Sequence, residues 1–359
     1  MAATPLDKEA RRLRVGLGAL VAALLALLVI TFLPSGFVIQ QPGPVYNTLG
    51  SAQNKDGDEI SLIAVDDEES YPTAGALDLT TVQVRGNRDH NASWPEAFAA
   101  WLSPAKAVIP VDLVFPQGLT TQQRDERNAA LMIDSQHEAT AAALTFLGYD
   151  VQARITVHQL VEGSPASGSL DAGDTIVAAN GTPIGDVETL RAVINDGGGS
   201  AVTITRTRDG QTSDVEIVPE KAQGNWVIGV TLTTDYSFPV DVTLQLDNVG
   251  GPSAGMMFAL GIIDVLTPEE LTGGRHIAGT GTIDAAGTVG PIGGIRQKLY
   301  GARDAGADFF LAPAANCNEV VGHVPSGLQV VRTETLQQSI DALTVIAEGG
   351  DIAALPACE

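Results

Sequence analysis

The chain has 359 residues, 44% apolar, 18% charged and 5% aromatic, which describes a folded protein of two or three domains with aliphatic cores. Its formal net charge of -23 argues against nucleic acid as a partner, because phosphate binding needs a basic surface. The five histidines are scattered, and His137-Glu138 lacks the second histidine of a zinc helix, so neither a metal nor another cofactor is expected.

At the N-terminus, Lys8, Arg11, Arg12 and Arg14 precede an uncharged apolar run from Val15 to Leu33. At about 1.5 Å per residue the run spans roughly 28 Å, close to the hydrocarbon thickness of a bilayer. Residues 15–33 are therefore expected to be a transmembrane helix behind a cytoplasmic tail, 1–14, with the rest of the chain outside the cytoplasm. A cleaved signal peptide is the rival reading. The run exceeds the usual signal core of about 7–15 residues, and Phe32-Leu33-Pro34 is a poor cleavage site.

Residues 34–150 read as a β-rich region with one helix. Leu79 to Val84 alternates and is β-branched, hence a strand, and 121–148 is helical, with Gly148 as its stop. From 151 to 221 the pattern changes to short strands at 155–157 and 175–177, a turn at Asn180-Gly181 and a helix at 186–195. A hairpin then pairs 201–206 with 213–218 across Asp209-Gly210. Through VEGSPASGSLDAGDTIVAANGTPI at 161–184 this region resembles a bacterial PDZ domain. The resemblance implies a mostly β fold that binds peptide tails by strand addition. The carboxylate-binding loop is expected just before the first strand, around Gly148 to Ala153.

Residues 222–350 alternate strands and helices: strands at 240–246, 277–283, 309–311 and 328–331, helices at 253–266, 294–304 and 335–348. A tail, 351–359, carries Cys358. With Cys317 it forms either a disulfide or two free thiols, and the spacing decides nothing.

Two positions in this last region carry chemistry. On the 294–304 helix Lys298 falls on the same stripe as Ile295, Leu299 and Ala302, so it either snorkels or is desolvated into a base. In Gly250-Gly251-Pro252-Ser253-Ala254-Gly255 a serine opens a buried helix behind a glycine turn. There it is either an N-cap or a nucleophile beside free N–H groups.

GGPSAG, followed by AGTGTI at 278–283 and PIGGIRQKLYGA at 291–302, resembles the proteolytic domain of the Lon family over about 229–345. The resemblance implies an α/β (α+β) domain in which Ser253 is the nucleophile, Lys298 the general base and Thr280 the support of the dyad. The backbone at Gly251, Pro252, Ser253 and Ala254 is the expected oxyanion turn. Gly250 and Thr282 depart from the family pattern, since ATP-dependent members carry acids there. Anchor, PDZ and Lon-type domain in that order resemble a bacterial membrane protease family, single-pass, with its catalytic domain outside the cytoplasm. Its substrates would be proteins or peptides, and rings of copies are common in Lon-type domains.

The chain has no G-x-x-x-x-G-K-[ST] motif, so the expected enzyme is an ATP-independent endopeptidase acting on extended or unfolded chains. Two alternatives stay open. GPSAG also fits the nucleophile elbow of α/β-hydrolases, with Asp284 and His323 as partners. The other is a non-catalytic scaffold whose PDZ region recruits exported proteins.

Overall fold

The structure, a computed structural model, describes residues 5–53, 59–66, 68–116, 118, 120–246 and 249–359. Its helices run in chain order as α1 (Pro5–Phe32), α2 (Trp94–Trp101), α3 (Val111–Val114), α4 (Thr121–Phe146) and α5 (Val187–Asp196). They continue as α6 (Gly255–Leu266), α7 (Ile295–Asp304), α8 (Cys317–Val320) and α9 (Leu336–Ala347). Within α1 the segment Leu13–Thr31 is long and apolar enough to cross a membrane, in keeping with the expected helix at 15–33; a signal sequence passes the same test.

The chain divides into two units, one of residues 1–143 with 242–359, the other of 144–241. This division corrects the expected boundaries. The region 34–150 is not a domain of its own, because its strands share a sheet with those of the C-terminal third. The order is Gln329–Thr333, Phe309–Pro313, His276–Gly279, Ala76–Arg85, Phe37–Asn47, Ala107–Pro110. The first four run parallel, and Ala76–Arg85 joins the halves by pairing parallel with His276–Gly279 and antiparallel with Phe37–Asn47. Local sequence cannot reveal such pairing, since the partners lie about 200 residues apart.

Alternation along the His276–Gly279 strand sorts the helices onto two faces. Ala278 belongs to the core that Ile295, Leu299 and Ala302 of α7 build with Phe310 and Ala312. On the other face a Cβ at Gly279 would lie 2.5 Å from the Met257 sulfur, so α6 packs directly on this strand. From Gly255 to Ile263 α6 is apolar and buried throughout, and Asp264, which follows, is buried as well. The expected strand 277–283 is interrupted: His276–Gly279 ends, and Thr282–Ile283 then pairs in a separate ribbon with Val289–Gly290.

Cys317 and Cys358 form a disulfide, which resolves the alternative left open by the sequence. It fastens the tail to α8, and the Arg332 N–H also donates to the Pro356 carbonyl at 2.8 Å. With the cysteines 41 positions apart, loop entropy predicts that Cys358→Ser lowers unfolding free energy by about 4 kcal/mol. Urea unfolding with and without reductant checks this; an unchanged midpoint would mean the tail constrains nothing.

The second unit is a sheet in the order Gln211–Ile217, Val202–Arg208, Thr175–Ala179, Gln152–Leu160, Val230–Ser237. The expected hairpin is present, with Asp209 and Gly210 both at positive φ, as its tight turn needs. Helix α5 is capped by the Asp186 side chain, which accepts from the Thr189 N–H at 2.7 Å.

Candidate active site

Lys298 reaches the site because α7 begins immediately after a fixed turn. The carboxamide of Asn316 brackets Ile292, accepting from its N–H and donating to its carbonyl, each at 2.9 Å. Gly294 then starts the helix, and Lys298 follows one turn later on the buried stripe with Ile295, Leu299 and Ala302. Its side chain is 1% exposed. Burial pushes its amine down from an ordinary 10.5 to about 7. At that burial Lys298 does not snorkel to solvent.

Ser253 comes from the opposite face of the sheet. It lies two residues before the first helical residue of α6, so the helix starts at Gly255, not at the serine, and the N-cap residue is Ala254. Its side chain therefore caps nothing and turns to the lysine instead. The Lys298 Nζ lies 2.9 Å from the Ser253 Oγ and 2.7 Å from the Thr280 Oγ1. The Thr280 hydroxyl donates to the Ser253 carbonyl at 2.9 Å, and the Gly281 N–H donates to the same oxygen at 3.0 Å. The sheet strand stops at Gly279 and opens the gap through which a side chain from α7 meets the loop before α6. Thr280 fills that gap.

The serine loop is held by α4, whose part the sequence did not reveal. The Gly251 N–H donates to the Asn128 carbonyl at 2.9 Å, and the buried Ser135 Oγ donates to the Pro252 carbonyl at 3.0 Å. Gly251 adopts φ +89°, a conformation that suits glycine. These bonds revise the expected oxyanion turn. The Gly251 N–H is engaged with α4 and proline has none, which leaves Ser253 and Ala254 as the donors of that set. Ser135 lies in mid-helix between Asp134 and Gln136, with no local pattern to mark it; only its partner 117 residues away gives it a role. Ser135→Ala is expected to lower turnover about tenfold with KM nearly unchanged, because the loop loses one clamp but no substrate contact. Steady-state kinetics beside Ser135→Thr, which keeps a hydroxyl, separate positioning from simple destabilisation.

The serine opens onto a cleft of about 350 Å³ lined by Pro44, Tyr46, Leu79 to Gln83 and Val249 to Gly250. Neither Lys298 nor Thr280 lines it, so the amine stays shielded while the Ser253 hydroxyl faces the cleft. A larger cleft of about 560 Å³, around Arg85, His90 and Arg124, contains none of these residues. The α/β-hydrolase partners do not join Ser253: Asp284 accepts from the Thr288 N–H, and the His323 ring contacts the Val321 carbonyl. Among the described residues no cluster of His, Cys, Asp and Glu has the makings of a metal site.

Residues 247–346 match the family model of the Lon protease (S16) C-terminal proteolytic domain, and residues 122–218 match that of the PDZ domain. The chain carries a Lon-type proteolytic domain. Similar proteins include Lon protease 2 of Herpetosiphon aurantiacus, 32% identical over 167 residues, covering 43% of this chain and 19% of that protein. Lon protease 2 of Bacillus subtilis is 22% identical over 244 residues, covering 63% and 44%. The PDZ domain of an SdrC-like protein from Listeria monocytogenes is a similar solved structure, at 23% identity and a TM-score of 0.21, covering 22% of this chain and 85% of that one. The chain spans about a fifth of the length of the first of these relatives. The Lon-type match begins at 247, yet the sheet on which the Lon-type site is built also takes strands from 37–47, 76–85 and 107–110.

In the PDZ unit the expected loop at 148–153 leads into Gln152–Leu160, which is flanked by strands on both sides and has no open edge for a peptide. Of the two strands that end the sheet, Gln211–Ile217 and Val230–Ser237, the second neighbours Gln152–Leu160 and has an open edge. Beside it runs a groove of about 490 Å³, lined from α5 by Val187, Leu190, Arg191 and Ile194, and from the other side by Trp226 to Leu232. The turn into this strand depends on Gly229 at φ +74°, where a Cβ would lie 2.3 Å from that of Ser164. The signal that could have found it is Gly229 followed by the alternating Val230-Thr231-Leu232-Thr233.

Proposed function

We propose that this chain is a membrane-anchored serine endopeptidase that cleaves extended polypeptide outside the cytoplasm. The observation that carries the reading is a water-shielded amine, with its pKa near 7, 2.9 Å from a hydroxyl that opens into a cleft. A neutral Lys298 donates one N–H to Thr280 and turns its lone pair to the Ser253 O–H. As the Oγ attacks the peptide carbonyl, its proton passes to Nζ and the carbonyl oxygen gains charge. The N–H groups of Ser253 and Ala254 face that charge at the start of α6. Collapse breaks the C–N bond, and the Lys298 ammonium protonates the departing amine. A water then gives its proton to the lysine and attacks the ester; collapse breaks the acyl C–O bond, and the lysine returns the proton to the Ser253 Oγ. The test is degradation of an unstructured polypeptide by the full chain and by its Ser253→Ala variant.

The remaining parts of the reading rest on further observations. Lys8, Arg11, Arg12 and Arg14 before the apolar run favour an uncleaved anchor with the bulk of the chain outside. The disulfide between Cys317 and Cys358 suits an oxidising compartment. Without a nucleotide-binding motif in this chain, hydrolysis here proceeds without ATP and takes substrates that are already extended. A ring of copies, as the Lon-type resemblance implies, belongs to the same reading.

In this reading the PDZ groove holds peptide tails by strand addition along Val230–Ser237. Val187→Asp puts a charge on its apolar wall at a half-buried position. It is expected to weaken capture of a tailed substrate at least tenfold while leaving cleavage of a short peptide unchanged. A competition assay with free tail peptide reads the difference, and equal loss on both substrates would count against a docking role.

A further inference from the structure

Helix α2 is apolar on both sides, which is unusual for a surface helix. Its inner side is small: Ala97 and Ala100 are buried, and Ala100 packs with Ile39 and Ala92. Its outer side is large. Trp94, Phe98, Trp101 and Leu102 follow the spacing i, i+4, i+7, i+8, so they form one stripe, and all four are exposed, Trp101 at 75%. Leu113 of α3, also 75% exposed, is a further large apolar side chain in this part of the fold. Burial among the described residues leaves Phe98, Trp101, Leu102 and Leu113 unexplained, and leaving such a cluster in water is unfavourable.

The chain's own connectivity says what covers the stripe. The apolar segment Leu13–Thr31 ends three residues before Pro34, a distance of at most about 11 Å. Pro34 pairs with Ser93, the N-cap residue of α2, and the Ser35 hydroxyl donates to the Ala92 carbonyl. The Ala92 N–H donates to the Phe37 carbonyl at 3.0 Å, and the Val111 N–H, at the first residue of α3, donates to the Gly36 carbonyl at 3.0 Å. The ring of Phe37 meets that of Trp94 edge-on at 6.1 Å. Both short helices are thus bonded to the four residues that leave the apolar segment. The headgroup zone on each side of a bilayer is roughly 5–8 Å deep, and tryptophan is enriched there.

We infer that the α2 stripe and Leu113 lie in the interfacial zone of the bilayer, as a second membrane contact beside the spanning helix. This inference rests on the reading of Leu13–Thr31 as a span. The bilayer takes the four large side chains, while the capping box of Ser93 and Glu96 and the Arg85–Glu96 ion pair at 2.8 Å remain on the watery side. Two attachments hold the base of the sheet against rotation about the single spanning helix, so that the cleft keeps one aspect toward the membrane.

The test uses the full chain in phosphatidylcholine vesicles whose acyl chains carry bromine just below the headgroup. The protein has three tryptophans, Trp94, Trp101 and Trp226. Emission of the parent is expected to fall in brominated vesicles relative to plain ones, whereas a Trp94→Phe/Trp101→Phe variant, which emits from Trp226 alone, loses none. A second measurement does not depend on that variant folding well. A polarity-sensitive dye on Leu113→Cys shifts to shorter wavelength on reconstitution, and the same dye on Gln337→Cys, at an exposed site on α9, does not. If alkaline carbonate leaves the chain in the membrane but bromine and dye report only water, the inference is overturned, the anchor stands, and the stripe belongs to a protein partner or a second copy. If carbonate releases the chain, both readings fall.

Discussion

Ser253→Ala and Lys298→Ala each reduce turnover of an unstructured polypeptide by roughly 10⁴-fold or more, with circular dichroism unchanged. Ser253→Ala removes the attacking atom. Lys298→Ala leaves the hydroxyl in place, but no other basic group lies within its hydrogen bonds, so its proton has nowhere to go. The double variant is no slower than either single one, because the two groups act as a unit. Lys298→Arg does not rescue, since a guanidinium stays protonated and cannot accept a proton. Thr280→Val is milder, because it removes the partner that orients Nζ and one of two bonds to the Ser253 carbonyl. Label release from an unfolded polypeptide measures all of these, and parental rates in Ser253→Ala would refute the dyad.

The second large effect is on pH. With Lys298 titrating near 7, kcat/KM rises about tenfold for each pH unit below 7 and levels off above about 8. A lysine of ordinary pKa would give a rise that continues to about pH 10. The same shift has a consequence for stability. The folded chain sheds this proton near pH 7 and the unfolded chain near 10.5, so between those values the unfolded state binds more protons and stability rises with pH. Below pH 7 both states are protonated, and the full cost of burying the charge, about 5 kcal/mol on this shift, bears on the fold. Lys298→Met should therefore be inactive yet more stable at pH 7, by a few kcal/mol at most after the lost hydrogen bonds are counted. Its advantage should shrink toward pH 10. Urea unfolding of both proteins across this range reads the gap, and a gap independent of pH would contradict a buried, neutral lysine.

Much of this was legible in the sequence because it depends on neighbours along the chain. The apolar run at 15–33, the turns at Asn180-Gly181 and Asp209-Gly210, and the buried stripe of α7 each follow from local spacing. Even the pairing of Ser253 with Lys298 was accessible, since the two motifs lie within one family match. The same reasoning set the expected carboxylate loop before Gln152–Leu160, an internal strand, whereas Val230–Ser237, which has an open edge, follows the hairpin beyond the end of the PDZ match at 218. It also read one strand at 277–283 where there are two, because alternation continues through Thr280 while the backbone there turns to bond with Ser253 and Leu311.

The sequence by itself determined the residue types of the dyad, the apolar N-terminal segment and the local elements of both units. Those are properties of short windows, governed by side-chain period and turn chemistry. Only the tertiary structure decided that 37–47 and 76–85 complete the sheet under the protease site, that α4 clamps the serine loop, and that Cys317 meets Cys358. Strand partners and hydrogen bonds between distant segments are fixed by which surfaces can be buried together, and no short window of sequence contains that information.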